Sequence, residues 1–400
     1  MTKTTTIVLG LGFGDEGKGI TTDFLCLQQP NALVVRFNGG QQAGHTVVNG
    51  QGKHHVFSNF GSGTLRGVPS YMSRYCSISP AGIAHEYTNL VALGFRPTLY
   101  IDSLAMVTTP YDIAWNRALE LVNKHGSCGL GFGATIERNE SPHKLYAQDL
   151  LFPIVLQEKL KTIYRYYLNK CKLSGQQHLT LAYQKALQDI SEEEFLYFVE
   201  RTIKIAQILP EHEVIKRFES FVFEGAQGIL LDMDYGFFPH VTRSNTTSKN
   251  ALDIIKRNGL AEPSIYYVTR AYQTRHGNGP MTNEGKPLRL QGIEHETNQS
   301  NQWQGAFRRS LLDLELLNYA LMCDHNHSKS LSKNLVVTCL DQLVDGLAIT
   351  NCQVSNPVSF LELIQEDVFS VQFNQLLESH SPCADHMDVT GLTLSMNYMA

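Results

Sequence analysis

The stretch IVLGLGFGDEGKGITTDFLCL, residues 7–27, decides the fold of this 400-residue chain. Its first residues, Ile7 to Leu9, form a short apolar run that is typical of a buried strand. A glycine-rich turn follows, and residues 19–27 have the pattern of a helix. A strand, a glycine-rich turn and a helix in this order predict a phosphate-binding loop, because backbone N–H groups and the positive end of a helix both attract anions.

The loop from Gly12 to Gly19 fits the pattern G-x-x-x-x-G-K, except that Gly19 stands where such loops carry Ser or Thr. Lys18 is expected to neutralise the outer phosphates of a nucleoside triphosphate. The missing hydroxyl removes the usual magnesium ligand, and Asp15, inside the loop, is the natural replacement. The alternative interpretation is a glycine-rich turn with an incidental lysine.

Composition argues against several classes of protein. The formal net charge of -5 does not suit a general binder of nucleic-acid backbones. No apolar run reaches the roughly 18 residues of a membrane-spanning helix, and the N-terminus lacks the features of a signal peptide. The eight cysteines form no C-x-x-C pair, which argues against disulfides and a zinc site and favours a cytoplasmic location.

The pattern along the chain predicts one large α/β domain over residues 1–400, with a mainly parallel central sheet, flanking helices and helical insertions. Short apolar runs predict strands at residues 7–9, 33–37, 220–223, 264–269 and 335–340. Helices are predicted at residues 80–93, 111–124, 182–208 and 311–322. The polar, helix-rich residues 151–219 are interpreted as a helical insertion, and residues 282–304 as a mobile loop.

Several longer motifs resemble, in chain order, those of the adenylosuccinate synthetase family. Residues 12–19 resemble its GDEGKG loop, and residues 36–46 resemble its R-x-x-G-G-x-N-A-G-H-T segment. Later matches are to its FEGAQG, VTxSNTT and TRVGxGP stretches, at residues 223–228, 239–247 and 274–280. An ordered series of long motifs over most of the chain, to about Gly346, is far more specific than one motif.

The resemblance implies a function. That family joins IMP to aspartate at the expense of GTP: the purine 6-oxygen is phosphorylated, and the amino group of aspartate then displaces the phosphate. Asp15 would be the general base that removes the N1 proton, and His45 would stabilise charge on the transferring phosphoryl group. The implied cofactor is Mg²⁺, with Asp15 and the backbone of Gly44 as ligands, while Lys18 holds the phosphates.

The resemblance also implies binding residues for each substrate. Those for the triphosphate are Gly12, Gly14, Glu16, Gly17, Gly19, Thr46 and Asp341. Those for the purine monophosphate are Gln42, Ser127, Cys128, Gln227 and Thr242. The amino acid would be held by Arg308 and Arg309, the two arginines left at residues 302–310, where the family has an arginine-rich stretch. The expected partners are these small molecules and a second copy of the chain in a homodimer, with no nucleic acid and no membrane.

The chain departs from the family at several of these places. Ser127, Cys128 and Leu130 lie where the family has Thr-Thr-Gly-Arg-Gly. Cys339 replaces the lysine of the base-reading T-K-L-D motif, which makes ATP or dATP a candidate donor beside GTP. The arginine that a partner subunit lends to the nucleotide phosphate has no clear counterpart, and the candidate substitutes are Arg138, His143 and Lys144.

These departures leave alternative functions open. They resemble the phage-type branch of the family, which works on dGMP, although the presence of Asp15 favours a purine without a 2-amino group, IMP or dIMP. A protein that binds nucleotides but has lost the ligation is a second alternative. An unrelated P-loop NTPase is a third, and Gly19 argues against it.

Overall fold

The computed structural model describes residues 4–29, 31–123, 126–293, 296, 298, 306–347, 349–350 and 359–392. Strands and helices alternate along this part of the chain, and the largest sheet is almost entirely parallel. This arrangement confirms the α/β class and the mainly parallel sheet that the sequence predicts.

The strands of the described residues are numbered in chain order. They are β1 (Thr5–Gly10), β2 (Ala32–Arg36), β3 (His45–Val48), β4 (His54–Phe57), β5 (Ser70–Met72), β6 (Ser77–Ile78), β7 (Leu99–Asp102), β8 (Met106–Val107), β9 (Ala206–Leu209), β10 (Ser220–Glu224), β11 (Ser264–Arg270), β12 (Gln273–His276), β13 (Phe307–Ser310), β14 (Leu312–Asp313), β15 (Ser332–Thr338), β16 (Ile349–Thr350), β17 (Gln375–Ser379) and β18 (Met387–Gly391).

The α-helices are numbered in the same way. They are α1 (Lys18–Gln28), α2 (Pro80–Ala92), α3 (Pro110–Asn123), α4 (Phe132–Glu140), α5 (Pro153–Ser174), α6 (Gln177–Gln188), α7 (Glu192–Ile205), α8 (Glu211–Ile215), α9 (Lys249–Arg257), α10 (Leu314–Ser328) and α11 (Phe360–Gln365). No helix in the described part of the chain has both the length and the apolar character needed to cross a membrane.

The main sheet of the described residues has ten strands in the order β18-β17-β15-β11-β1-β10-β2-β5-β7-β9. Every neighbouring pair is parallel except β17 and β18, which are antiparallel at one edge. The first strand of the chain therefore lies inside the sheet, between β10 and β11. In open parallel sheets, ligands bind beyond the carboxyl ends of such interior strands.

Strand β1 is buried on both faces, which explains why its sequence is apolar without alternation. Ile7 packs on one face in the largest core cluster, together with Phe223 and Tyr267. Val8 points to the opposite face and packs with Val222 beneath α1. Helices covering both faces of the sheet thus hold β1, and the loop that follows it, in place.

Residues 151–219 contain the expected helices and one unexpected strand. Helices α5, α6 and α7 share an apolar cluster with α3, in which Trp115 and Tyr183 meet edge to face. The single helix predicted at residues 182–208 is wrong in detail, because α6 ends at Gln188 and α7 begins at Glu192. Ser191 caps α7, its hydroxyl accepting from the N–H of Glu194 at 3.1 Å. Ile208 lies in β9, which extends the main sheet beside β7.

The loop predicted at residues 282–304 is only partly covered. Residues 282–285 form a turn, and Leu290 makes an isolated bridge to Leu343. Residues 294, 295, 297 and 299–304 of this predicted mobile loop lie outside the described residues.

Candidate active site

A cavity of about 1140 Å³ opens at the carboxyl edge of the main sheet. The segments that follow β1, β2, β10, β11, β15 and β17 all contribute to its lining, because the carboxyl ends of parallel strands meet at one edge. Residues 126–133 and 240–243 complete the walls. Its size and its polar groups suit a ligand larger than a single nucleotide.

The structure brings most of the predicted site residues to this cavity. Those that line it are Gly14, Asp15, Gly17, Lys18, Gly19, Gln42, Gly44, His45, Thr46, Ser127, Cys128, Gln227, Thr242 and Asp341. Four predicted residues do not line it: Gly12, Glu16, Arg308 and Arg309.

The phosphate loop is folded around a buried carboxylate. Glu16 lies inside the loop, and its Oε1 accepts from the N–H groups of Gly12 at 3.0 Å and Gly14 at 2.7 Å. Its Oε2 forms an ion pair with Lys18. The amide of Gly12 and the carboxylate of Glu16 thus satisfy each other within the loop, and their expected contact with the nucleotide stays a prediction.

The second half of the loop presents free donors. Helix α1 begins at Lys18 with no side chain capping its N-terminus and no acidic residue in its first turn. Gly17 has a φ of 97°, and a Cβ at this position would lie 2.6 Å from the side chain of Thr338. Only glycine fits there, and the uncapped N–H groups that follow it are suited to phosphate oxygens.

Asp15 lines the cavity from a left-handed backbone position, with a φ of 63°. Its Oδ2 lies 3.3 Å from Nε2 of His276, and its carbonyl accepts from Nε of Arg270. Burial acts to raise the pKa of Asp15, but His276, Arg270 and Lys18 outweigh it and hold the pKa below the ordinary value. The carboxylate is therefore ionised at neutral pH, as a proton acceptor or a metal ligand must be.

His45 is held by a buried glutamate. Its Nδ1 lies 2.6 Å from Oε1 of Glu224, which also accepts from Ser62. Burial acts to raise the pKa of Glu224, but His45 and Arg36 lower it, so the carboxylate stays ionised. Burial lowers the pKa of His45, and the positive charge of Arg36 lowers it further. Glu224 acts to raise this pKa but does not outweigh the two effects. A neutral imidazole that donates from Nδ1 keeps Nε2 available to a ligand.

Ser127 and Cys128 lie on a loop that is anchored to α3. Glu120 accepts from the N–H of Ser127 at 3.1 Å, and Asn116 bridges the Ser127 hydroxyl to the N–H of Gly131, both at 3.0 Å. Helix α4 follows without a capping side chain, and its first turn lines the cavity. Burial raises the pKa of the Cys128 thiol to about 11, so this group is protonated at neutral pH.

Two amide side chains lack partners. Nε2 of Gln42 and Oε1 of Gln227 are buried polar atoms without a hydrogen-bond partner in the described part of the chain. Gln227 is also held in the left-handed region, with a φ of 64°. Buried unpaired polar atoms are costly. A donor and an acceptor of this kind on a cavity wall indicate a polar ligand that supplies the missing partners.

A further wall follows β15 and β17. Thr338 donates from its hydroxyl to the carbonyl of Glu16 at 2.7 Å and so ties β15 to the phosphate loop. Cys339 has a φ of 61°, and burial raises the pKa of its thiol. Asp341 is exposed at the cavity, and Pro382 lies on the same lining.

Arg308 and Arg309 lie beside the cavity on β13, which pairs with β12. Arg308 forms an ion pair with Glu284 at 2.9 Å and donates to the carbonyls of Gly277 and Gly279 at 2.8 and 2.9 Å. The guanidinium of Arg309 lies over the ring of Phe307, 4.9 Å from its centroid. With these contacts both side chains lie outside the lining, and their expected role in gripping the amino acid stays a prediction.

Arg138 cannot substitute for the missing phosphate-binding arginine. It is fully buried and bonds both oxygens of Asp112, at 2.8 and 3.0 Å. The same guanidinium donates to the carbonyls of Val107 and His143. It therefore has a structural role in the core beneath α4.

Three site residues were not predicted from the sequence: Arg270, His276 and Glu224. Arg270 ends β11, at the carboxyl edge where sites of parallel sheets form, so its position after a predicted strand was an available signal. Glu224 and His276 lie inside two of the quoted motifs. Their roles depend on His45 and Asp15, which approach them only in the folded chain.

Sequence comparison gives a consistent result. A profile of the family adenylosuccinate synthetase matches residues 7–354. The adenylosuccinate synthetase of Buchnera aphidicola subsp. Schizaphis graminum is 34% identical over 290 residues, which cover 70% of this chain and 65% of that protein. The enzyme of Coxiella burnetii strain Dugway 5J108-111 is 34% identical over 305 residues, covering 72% and 67%. The chain thus spans about two thirds of the length of these curated relatives.

Two solved structures share the fold. The fully ligated adenylosuccinate synthetase from Plasmodium falciparum has a TM-score of 0.68 at 19% identity, over 97% of this chain and 100% of that one. The cyanophage S-2L succinoaminodeoxyadenylate synthetase, bound to dGMP and dATP, has a TM-score of 0.62 at 14% identity, over 98% and 96%. Since the profile covers most of the sequence and the cavity collects the residues of its motifs, the chain belongs to the adenylosuccinate synthetase family.

Proposed function

We propose that this chain is a purine-nucleotide ligase. It phosphorylates the 6-oxygen of IMP, or of a related purine monophosphate, with a nucleoside triphosphate and joins the purine to aspartate, giving adenylosuccinate. The observation that carries the proposal is that Asp15 and His45 line one cavity together with Lys18 and the uncapped N-terminus of α1. One cavity therefore holds a proton acceptor, a group that stabilises phosphoryl charge and an anion-binding helix end, which together can act on two nucleotides bound side by side.

In the first step, Asp15 takes the proton from N1 of the purine, and the 6-oxygen becomes the nucleophile. That oxygen attacks the γ-phosphorus, and the nucleoside diphosphate leaves with the electron pair of the broken P–O bond. His45 lines the cavity with Nδ1 held by Glu224, so we assign Nε2 to the phosphoryl group. Burial lowers the pKa of His45 in the free protein, and negative charge beside the ring raises it again, so the imidazole gains a proton as the phosphoryl group arrives.

In the second step, the amino group of aspartate attacks C6, phosphate leaves with the 6-oxygen and its electron pair, and one proton of the attacking amine passes to the departing phosphate. Arg308 and Arg309 remain the proposed anchors of the aspartate carboxylates. They lie on β13 opposite Arg275 and Thr274 of β12, one residue row from the cavity.

Magnesium fits the oxygen atoms present. The Asp15 carboxylate and the Gly44 carbonyl belong to residues that line the cavity, and Mg²⁺ commonly binds through one or two protein oxygens together with substrate phosphates. Over the described residues, no cluster of three or more His, Cys, Asp or Glu side chains could hold a metal alone. When bound, the ion would neutralise charge on the transferring phosphoryl group.

The test is a coupled assay with Mg²⁺, IMP, aspartate and either GTP or ATP, in which the absorbance change of adenylosuccinate and the release of nucleoside diphosphate are followed together. Release that depends on both IMP and aspartate is expected. Release that is independent of aspartate would identify a simple NTPase, and tight binding without turnover would identify a nucleotide-binding protein that has lost the ligation. Failure with every pairing of IMP, dIMP, GMP or dGMP with GTP, ATP or dATP, and with amino acids other than aspartate, contradicts the proposal.

A second candidate is a phage-type reaction on dGMP or dIMP with ATP or dATP. It is favoured by Cys339, which replaces a cationic side chain with a neutral thiol at the wall where the donor base is proposed to bind. The cyanophage S-2L neighbour is itself bound to dGMP and dATP. Comparing kcat/KM across the four monophosphates and three triphosphates separates the two candidates.

The proposal includes a cellular and structural setting. The chain is proposed to work as a cytoplasmic homodimer, with residues 1–400 forming one catalytic domain and residues 151–219 inserted as a helical unit. Sedimentation equilibrium over a range of protein concentrations tests the dimer.

A further inference from the structure

Arg243 lies on the cavity lining, on the loop that carries Thr242. The backbone on both sides of it is fixed: the N–H of Thr242 donates to the carbonyl of Leu231 at 2.8 Å, and the N–H of Met233 donates to the carbonyl of Ser244 at 3.1 Å. The position of the Arg243 backbone is therefore set by the fold, while its side chain extends from it and is 42% exposed.

The other arginines and lysines of the described lining are already committed. Lys18 is paired with Glu16 and is 2% exposed. Arg270 is occupied by the carbonyl of Asp15, the hydroxyl of Tyr272 and the carboxylate of Glu296. Arg275, 1% exposed, donates to two backbone carbonyls. Within the part of the lining that the structure describes, Arg243 is the guanidinium that can change partners without unfolding its surroundings.

The present partners of Arg243 are weak competitors. Its NH2 lies 2.8 Å from Oε2 of Glu140, and its NH1 lies 3.8 Å from Oε2 of Glu137. Both carboxylates lie on α4, both are at least a third exposed, and Glu137 also pairs with Lys170. Exposed ion pairs of this kind contribute little to stability. Exchange of these two carboxylates for a dianionic group would therefore be favourable.

The groups beside Arg243 are suited to a phosphate. Thr242 precedes it on the lining, and the same cavity is lined by Ser127 and by Phe132 and Gly133 of the uncapped first turn of α4. The Ser127 hydroxyl accepts from Asn116, so its own proton can be donated to a ligand. A guanidinium offers two parallel N–H donors that match phosphate oxygens, which strengthens and orients the contact.

We propose that Arg243 binds the 5′-phosphate of the purine monophosphate, taking the phosphate in exchange for Glu140 and Glu137. The assignment rests on the proposed function, because it names the cation of the monophosphate subsite. Arg243 also supplies the positive charge for the phosphate from within the same chain. Arg138 cannot do so, because it is buried in its ion pair with Asp112. The two glutamates hold the guanidinium at the rim until the monophosphate enters.

The test is titration calorimetry on the full-length protein, in which IMP is compared with inosine, its counterpart without phosphate. Arg243→Gln should weaken IMP binding by roughly 10- to 100-fold, the loss expected for one charge-assisted contact, and leave inosine binding unchanged. Arg243→Lys, which keeps the charge but loses the paired donors, should fall in between. Arg257→Gln is the matched control and should match the wild type, because Arg257 is a partly exposed arginine paired with Glu211 and Asp253 and does not line the cavity.

A second variant tests the exchange itself. Replacing both Glu137 and Glu140 by Gln frees Arg243 and should tighten IMP binding severalfold, without any effect in the Arg243→Gln background. An equal loss for IMP and inosine in Arg243→Gln, or a loss confined to the triphosphate or to aspartate, would overturn the assignment.

Failure of the assignment is distinguishable from failure of the proposed function. If the wild type turns over IMP and Arg243→Gln binds IMP normally, only the role of Arg243 is wrong. If the wild type does not bind IMP, the same comparison is made with dGMP and deoxyguanosine. If neither monophosphate binds, both proposals are wrong.

Discussion

Nδ1 of His45 lies 2.6 Å from Oε1 of Glu224, and both side chains are almost completely buried, the glutamate at the end of β10 and the histidine at the start of β3. Two segments that are distant in sequence thereby fix one imidazole in orientation and tautomer. The contact makes Glu224 a positioning residue for His45, because its carboxylate reaches the ring and not the cavity.

Glu224→Gln should lower kcat by on the order of 100-fold, because a neutral amide oxygen accepts the Nδ1 proton of His45 more weakly and no longer stabilises the protonated ring. KM for the triphosphate should change little. Steady-state kinetics with a circular dichroism check of folding measures the effect. Ser62→Ala, which removes only a neighbouring donor to the same carboxylate, should produce a much smaller loss. A wild-type kcat in Glu224→Gln would remove the glutamate from the mechanism.

Asp15→Asn should abolish ligation, with a loss of at least about 1000-fold, because the amide cannot accept the N1 proton and is a poorer metal ligand. Binding of the purine monophosphate should persist in calorimetry. Asp345→Asn, which alters an exposed carboxylate paired with Arg289, is the matched control. Intact triphosphate hydrolysis and ligation in Asp15→Asn would contradict the assigned base.

Gly228→Ala should destabilise the phosphate loop. A Cβ at Gly228 would lie 2.1 Å from the carbonyl oxygen of Gly12 and 2.3 Å from the carboxylate of Glu16, neither of which has room to retreat. We expect a loss of about 1–3 kcal/mol in the free energy of unfolding, measured by urea denaturation, together with a raised KM for the triphosphate. Gly391→Ala, where nothing lies within 4 Å, should be close to neutral.

Arg138→Met should cost about 3–5 kcal/mol in the free energy of unfolding, because it leaves the buried Asp112 charge without its cation. Urea denaturation measures this loss. The double variant that also carries Asp112→Asn should recover part of it. If Arg138 instead contacted the substrate phosphate, the single variant would raise KM for the monophosphate while stability stayed the same.

Cys339→Lys should shift donor preference toward GTP by on the order of 10-fold in the ratio of kcat/KM values for GTP and ATP. An ammonium group favours the 6-oxygen acceptor of guanine over the 6-amino donor of adenine. Cys339→Ser keeps the side chain small and should leave the ratio unchanged. Equal ratios in the wild type and Cys339→Lys would show that residue 339 does not contact the donor base.

The interior of the fold was predictable because its signals are local. Strand β1 and helix α1 are specified by an unbroken apolar run and a glycine turn, and both are where the sequence predicts them. Strands β5 and β7 have only three and four residues, too few for a periodic pattern, and β9 was absorbed into a predicted helix. Such short strands owe their conformation to their sheet neighbours, which a local pattern does not contain.

The site was predictable to a similar degree and for a similar reason. Motif residues such as Asp15, His45 and Gln227 were found because they stand in recognisable strings. The Asp15–His276 contact joins residues 261 positions apart (276 minus 15), and no local string encodes it. Glu16 and Arg138 are the opposite case: each is a charged residue in or near a motif whose side chain forms a buried ion pair within the protein.

Asp15, Gln227 and Cys339 all hold left-handed backbone conformations that cost a residue with a side chain about 1–3 kcal/mol each. Glycine would relieve that cost at any of the three positions and would remove the group that faces the cavity. Selection of this chain for thermal stability alone would therefore favour glycine at these positions and yield proteins that are more stable but inactive. Thermal tolerance and catalysis are opposed at three residues, so any directed evolution for robustness must screen turnover in the same round.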